Sequence, residues 1–136
     1  MNDGEFWWTV RVYHEDTDAG GIVYHANYLH FFERARTEWL RARGCEQDAL
    51  RNAHRVMFVV VALQVDYRAA AKFNDVLDVG VTIDALKRAS VILHQRIRRK
   101  EQEICVAAVR IGCVDVDSLM PCAIPAFLHS ELIREH

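Results

Sequence analysis

The chain has 136 residues, of which 51% are hydrophobic and 26% are charged, and its formal net charge is -2. This length and composition predict one globular domain over residues 1–136 and argue against intrinsic disorder. A small negative charge offers no concentrated positive field, so we expect no nucleic-acid partner. The most apolar run, Val56 to Leu63, is too short to cross a bilayer, which predicts that the chain has no transmembrane segment.

The cysteines and the N-terminal segment indicate the cellular compartment in which the protein is expected. The four cysteines form no C-x-x-C pair, and reduced thiols in a cytoplasmic protein are the simplest interpretation. The segment Met1-Asn2-Asp3-Gly4-Glu5 is acidic and lacks the basic and apolar regions of a signal peptide. We therefore expect a cytoplasmic protein. Peripheral contact with the inner membrane is an alternative that these features do not exclude.

The predicted elements begin with a strand from Phe6 to His14, which is rich in aromatic and β-branched residues. A helix is predicted from about Asn27 to Arg43, because apolar residues recur there at three- and four-residue steps. Asn27 is the expected N-cap of this helix and Gly44 the expected C-cap.

The rest of the chain predicts strands and a short terminal helix. The strands are Met57–Tyr67, Val76–Asp84, Ser90–Arg98 and Glu103–Val116, and the helix is Ala126–Arg134. The first of these strands is almost continuously apolar, as expected of a central strand buried on both faces. One long apolar helix followed by antiparallel strands predicts an α+β fold in which a curved antiparallel sheet wraps the helix.

An acidic, glycine-containing block connects the first strand to the helix: Asp16-Thr17-Asp18-Ala19-Gly20-Gly21-Ile22-Val23-Tyr24-His25-Ala26-Asn27-Tyr28. A carboxylate beside free backbone amides at a helix start suits hydrolysis of an activated acyl group, since one group activates the attack and the other polarises the carbonyl. By spacing alone, however, an acidic turn residue is the simpler interpretation of Asp18. Asp16 is expected to be structural, or to support the site without contacting the substrate.

This block resembles the 4-hydroxybenzoyl-CoA thioesterase family, and within it a branch of bacterial acyl-CoA thioesterases associated with the Tol–Pal gene cluster. Further matching segments are Phe32–Glu38, Ala89-Ser90, Gln95–Ile97 and Cys113–Asp115. The resemblance implies a hotdog fold, homodimers or homotetramers, active sites at the dimer interface and no cofactor beyond the substrate's own coenzyme A. It also implies an acyl-CoA substrate, with acyl-carrier protein as a second candidate carrier of the acyl group.

The resemblance also implies roles for particular residues. Asp18 becomes the catalytic nucleophile or general base, and the backbone amide of His25 the group that polarises the thioester carbonyl. The His25 side chain is a second catalytic candidate. The expected substrate-binding residues are Gly20, Gly21, Tyr24, Lys87, Arg88 and Ser90. No metal site is predicted, because the spacing of the histidines matches no common zinc pattern.

Three functions compete at this point. The leading one is hydrolysis of an acyl-CoA or acyl-carrier-protein thioester to a free acid and a thiol. The second is an acyl-thioester dehydratase, since hotdog folds also host that reaction, although the His and acidic pair that it uses is not found. The third is a non-catalytic acyl-binding or scaffold protein linked to envelope or phospholipid machinery.

Overall fold

The structure, a computed structural model, describes residues 5–135. The first four residues and His136 lie outside the described part. The prediction that the N-terminus is not a signal peptide rests mostly on those four residues. The strands are β1 (Phe6–Arg11), β2 (Val56–Tyr67), β3 (Val76–Leu86), β4 (Ser90–Arg99) and β5 (Gln102–Asp115). They form one antiparallel sheet in the order β1-β3-β4-β5-β2. The helices are α1 (Asn27–Arg41), α2 (Gln47–His54) and α3 (Ala126–Glu135).

Helix α1 packs its apolar stripe on the sheet. The stripe falls at three- and four-residue steps, which places its members on one face of the helix. Its buried residues are Tyr28, Phe31, Phe32, Ala35, Trp39 and Leu40. They join a core built from the facing side chains of the strands, among them Leu77, Val79 and Val81 of β3. The α+β prediction and the long central helix are therefore confirmed.

Most predicted strands and helices agree with the structure to within two residues at each end, but the first strand differs more and one helix was not predicted. Strand β1 ends at Arg11, and a single 3-10 turn follows at His14–Asp16. Helix α1 ends at Arg41, and Gly44 lies beyond it with a φ of 74°, a conformation that glycine adopts without strain. Helix α2 was missed, because only Leu50 of its residues is buried and the apolar pattern is correspondingly weak.

The prediction for β2 was wrong in a way that matters for assembly. It is an edge strand and not a central one, with only β5 beside it. Val60 is 48% exposed and Val61 is 54% exposed, and Leu63 and Tyr67 are also exposed. An edge strand presents unpaired backbone groups, and an apolar one is suited to pairing with another strand. Within residues 5–135, no helix is long and apolar enough to cross a membrane.

The sheet has two ends, the Asp18 end and the Lys87 end, each named after a residue that lies near it. At the Asp18 end, Ile22 forms a β-bridge with Lys72, and the Tyr67 hydroxyl donates to the backbone oxygen of His25 at 2.9 Å. At the Lys87 end lies the hairpin between β3 and β4, where the Lys87 N–H donates to the Ser90 carbonyl at 2.8 Å. The 11 residues of β3 separate these ends by roughly 33 Å, at about 3.3 Å per residue.

Candidate active site

The acidic block folds into a small hairpin immediately before α1. Thr17 and Val23 form an antiparallel bridge, and inside it the Asp18 N–H donates to the Ile22 carbonyl at 2.9 Å. The turn closes when the Gly21 N–H donates to the Asp18 carbonyl at 3.0 Å. Gly21 has a φ of 81°, a region in which a residue with a Cβ is strained. Glycine at position 21 is therefore required by the shape of the turn.

The Asp18 side chain is exposed at the tip of this hairpin. Its Oδ1 accepts a hydrogen bond from the Gly20 N–H at 2.8 Å, which fixes the orientation of the carboxylate. A Cβ on Gly20 would lie 3.2 Å from the same oxygen, so the lack of a side chain at Gly20 lets the carboxylate lie against the backbone. One oxygen is thus held by the turn while the side chain as a whole stays accessible to a ligand.

Asp16 differs from Asp18 in both burial and contacts. It is only 4% exposed, and its Oδ2 accepts from the Tyr13 N–H at 2.8 Å. Its Oδ1 accepts from Nδ2 of Asn27, also at 2.8 Å. Because both oxygens are occupied by groups of the fold, Asp16 fastens the 3-10 turn to the start of α1. The expectation that Asp16 is structural agrees with these contacts.

The start of α1 differs from the predicted capping arrangement. Ala26 occupies the N-cap position, and Asn27 is the first helical residue, with its side chain turned to Asp16 instead of capping the helix. The Asn27 N–H donates to the Tyr24 carbonyl at 2.8 Å. The His25 N–H, by contrast, has no acceptor among residues 5–135. A free N–H at a helix start, where the helix dipole is positive, is suited to stabilising negative charge on an oxygen.

The side chains of Tyr24 and His25 are both exposed beside this helix start. Their rings lie 4.5 Å apart between centroids, and the His25 ring makes an edge contact with Tyr67 at 6.4 Å. The structure thus brings five of the predicted site residues to one surface at the Asp18 end: Asp18, Gly20, Gly21, Tyr24 and His25.

The other three predicted residues, Lys87, Arg88 and Ser90, lie at the Lys87 end. Lys87 and Arg88 are exposed there, beside an open depression of about 450 Å³ that residues of α3 also line. Within one chain, the length of β3 keeps these residues away from Asp18. A single copy therefore does not bring all predicted site residues together.

A second cavity was missed by sequence reasoning. It measures about 230 Å³ and lies between α1 and β2, with Arg36, Trp39 and Phe58 among the residues that line it. Tyr28, Phe31 and Phe32 of the apolar stripe do not line it, because they are buried in the core. The available signal was the position of Arg36 four residues after Phe32, which puts a charge at the border of the apolar stripe.

Comparison with known proteins places this arrangement in a family. Residues 12–132 match the model of the thioesterase-like superfamily. The chain is 46% identical over 125 residues to a protein of Haemophilus influenzae named acyl-CoA thioesterase YbgC, covering 92% of each chain. It is 45% identical over 132 residues to the Escherichia coli protein named acyl-CoA thioester hydrolase YbgC, covering 96% of this chain and 98% of that one.

Solved structures agree with the sequence relatives. A probable thioesterase from Bartonella henselae superposes with a TM-score of 0.86 at 31% identity, covering 89% of this chain and 99% of its own. A gentisyl-coenzyme A thioesterase superposes with a TM-score of 0.83 at 25% identity, covering 90% of this chain and 98% of its own. The matched region includes the hairpin, α1 and strands β2 to β5, so the chain belongs to the thioesterase-like superfamily of hotdog proteins.

Proposed function

We propose that the protein hydrolyses acyl-CoA thioesters to a free acid and coenzyme A. One observation carries the proposal: an exposed, backbone-held Asp18 carboxylate lies on the hairpin that leads directly into a helix start with an unused N–H at His25. These are the two groups that acyl transfer to water needs. The printed names of the two YbgC relatives, acyl-CoA thioesterase and acyl-CoA thioester hydrolase, support the same reaction.

The proposed chemistry has two possible first steps at Asp18. As a general base, the carboxylate takes a proton from water while the water oxygen attacks the carbonyl carbon. As a nucleophile, it attacks that carbon itself and forms a mixed anhydride that water then hydrolyses. In both cases the carbon–sulfur bond breaks, the thiolate of coenzyme A leaves, and the His25 N–H stabilises the negative charge on the carbonyl oxygen.

The proposed active unit is a dimer formed by antiparallel pairing of two β2 strands. The exposed valines of β2 and its unpaired edge support this arrangement. A two-fold axis near Val61 would extend the sheet and remove apolar surface from water. Two such dimers could associate further into a tetramer.

This pairing explains why the predicted site residues lie at both ends of the sheet. Strand β2 runs from the Lys87 end at Val56 to the Asp18 end at Tyr67. Antiparallel pairing would therefore put the Asp18 end of one copy beside the Lys87 end of the other. Lys87 and Arg88 would then supply positive charge for the coenzyme's phosphates in the partner's site, with Ser90 beside them.

The experiment that tests the proposal is a thiol-release assay with acyl-CoA substrates from acetyl to palmitoyl, including aromatic acyl groups. Asp18→Asn should fold and assemble normally but lose activity by a factor on the order of 10³ or more. Asp48→Asn is the matched control, since Asp48 is exposed on α2 away from the hairpin. Near wild-type turnover in Asp18→Asn would refute the assignment.

The same assay separates the remaining candidates. Acyl groups on acyl-carrier protein should be supplied beside the CoA substrates, because the chemistry at Asp18 is unchanged by the carrier. An enoyl product without thiol release would indicate a dehydratase. Tight acyl binding without any turnover on either carrier would indicate a binding or scaffold protein.

A further inference from the structure

The 230 Å³ cavity between α1 and β2 has two chemically different walls. The apolar wall comes from the strands and includes Phe58, Val60 and Leu93. The polar wall comes from α1 and α2 and includes Arg36 and Gln47. A cavity with one long apolar side and a few polar groups on the other is the form expected of a site for an amphiphilic small molecule.

The guanidinium of Arg36 is held in place from behind. Its Nη1 donates to Oε1 of Gln95 at 3.0 Å, and Nε2 of Gln95 donates to the Phe32 carbonyl at 3.1 Å. Gln95 is fully buried, so this chain of hydrogen bonds is shielded from water. The arginine is thereby oriented in advance, while its other N–H groups have no acceptor within residues 5–135.

The charge of Arg36 has no close counter-charge in the described part of the chain. No carboxylate oxygen lies within 4.0 Å of its nitrogens, although seven other arginines have such a partner. Burial lowers the pKa of Arg36, and the charge of Glu33, which is exposed on the same wall, acts in the opposite direction. A half-buried cation beside apolar surface is costly unless an anion joins it.

We infer that this cavity binds a medium-chain carboxylate, with the carboxylate group on Arg36 and the alkyl chain against β2. A guanidinium offers paired donors that match a carboxylate, and the apolar wall matches a hydrocarbon chain. At about 30 Å³ for each water-sized group, 230 Å³ holds about eight non-hydrogen atoms. An acid of about six carbons, with its two oxygens, fills this volume, and the last two carbons of an eight-carbon acid extend beyond it.

The test is direct binding of octanoate to the intact protein by calorimetry, with 1-octanol as the uncharged probe. Arg36→Met keeps an apolar stem of similar reach and should weaken octanoate binding by about tenfold or more while leaving octanol binding unchanged. Arg34→Met is the matched control, because Arg34 is exposed on the same helix. Equal octanoate affinity in wild type and Arg36→Met would overturn the inference.

A second measurement uses the wild-type protein alone, in case Arg36→Met does not fold. Octanoate should shift the indole N–H resonance of Trp39, which lines the cavity, and leave that of the exposed Trp8 unchanged. Absence of any Trp39 shift at millimolar octanoate would also overturn the inference. The inference would also be overturned if Arg36→Met changed dimer formation but not octanoate binding. The guanidinium would then pair with the second copy and not with a ligand.

Two sources of the carboxylate can be separated. One is a free acid, and the other is a carboxylate at the far end of an acyl group bound for hydrolysis. If Arg36→Met raises the KM for suberoyl-CoA but not for octanoyl-CoA, the acyl group is the source. If both KM values stay unchanged while octanoate binding weakens, the source is a free acid. The kinetic comparison rests on the proposed function, whereas the calorimetry needs no turnover and stands if hydrolysis is disproved.

Discussion

Asn27 donates a hydrogen bond to the buried Asp16 at 2.8 Å and so fastens the first residue of α1 to the turn that precedes the hairpin. The same Asp16 carboxylate also accepts from the Tyr13 N–H. The position of Asp18 relative to the helix start therefore depends on a carboxylate that itself faces away from solvent. Positioning and proposed chemistry are divided between two acidic residues that are two positions apart.

Asn27→Ala should destabilise the protein, because it leaves one oxygen of the buried Asp16 without its partner. We expect the free energy of unfolding to fall by about 1–3 kcal/mol. Urea denaturation followed by circular dichroism measures the change, with His30→Ala as an exposed control on the same helix. An Asn27→Ala variant as stable as the wild type would show that the contact contributes nothing.

The two glycines of the hairpin should respond differently to alanine. Gly21→Ala places a Cβ at a φ of 81° in open space, so it should cost about 1 kcal/mol of stability through backbone strain. Gly20→Ala instead places a Cβ 3.2 Å from Oδ1 of Asp18, which displaces the carboxylate. We expect kcat/KM to fall by about tenfold or more with little change in melting temperature. If Gly20→Ala lowered the melting temperature but left kcat/KM unchanged, Asp18 would not be the catalytic carboxylate.

The sequence allowed the long helix and most strands to be predicted, because each has a clear apolar period. The apolar pattern does not, however, predict which strands lie next to each other in the sheet. The apolar run of β2 reads as a buried central strand, but the structure leaves Val60 and Val61 about half exposed at the edge of the sheet. An edge that a second copy covers and a strand buried within one chain have the same composition, so periodicity cannot separate them.

The sequence could single out candidate site residues but not their placement in the fold. The block around Asp18 has an order that motif comparison recognises, and its residues lie together at one end of the sheet. The distance from this block to Lys87 follows from the length of β3, which no motif encodes. Arg36 was not recognised as a cavity residue, since its orientation comes from a hydrogen bond to the fully buried Gln95, which is 59 positions away in the chain.

Leu63→Lys should disrupt the proposed dimer. Leu63 is 42% exposed on the edge strand, and a lysine there opposes strand pairing. We expect a monomer by analytical ultracentrifugation and a loss of most thioesterase activity. Leu119→Lys is the control, because Leu119 is 59% exposed in a loop outside the strands. A Leu63→Lys protein with unchanged mass in solution would place the interface elsewhere.

Mixing two inactive variants tests whether the active site is shared between copies. Asp18→Asn lacks the proposed catalytic carboxylate, and Lys87→Glu/Arg88→Glu lacks the charge proposed to hold the coenzyme. If each site takes Asp18 from one copy and Lys87 and Arg88 from the other, a mixed dimer contains one intact site. Coexpression with random pairing should then restore about a quarter of wild-type activity. No recovery in purified mixed dimers would mean that the site belongs to a single chain.

Stability should fall in alkaline solution because of two buried thiols. Burial raises the pKa of Cys105 and of Cys113 from 9.0 to about 12. Between pH 9 and pH 12 the unfolded chain therefore releases thiol protons that the folded chain retains, which favours unfolding as pH rises. Each thiol should lower the free energy of unfolding by up to about 1.4 kcal/mol per pH unit. Denaturation series should show a shallower slope in Cys105→Ala/Cys113→Ala, and an unchanged slope would assign the effect to other groups.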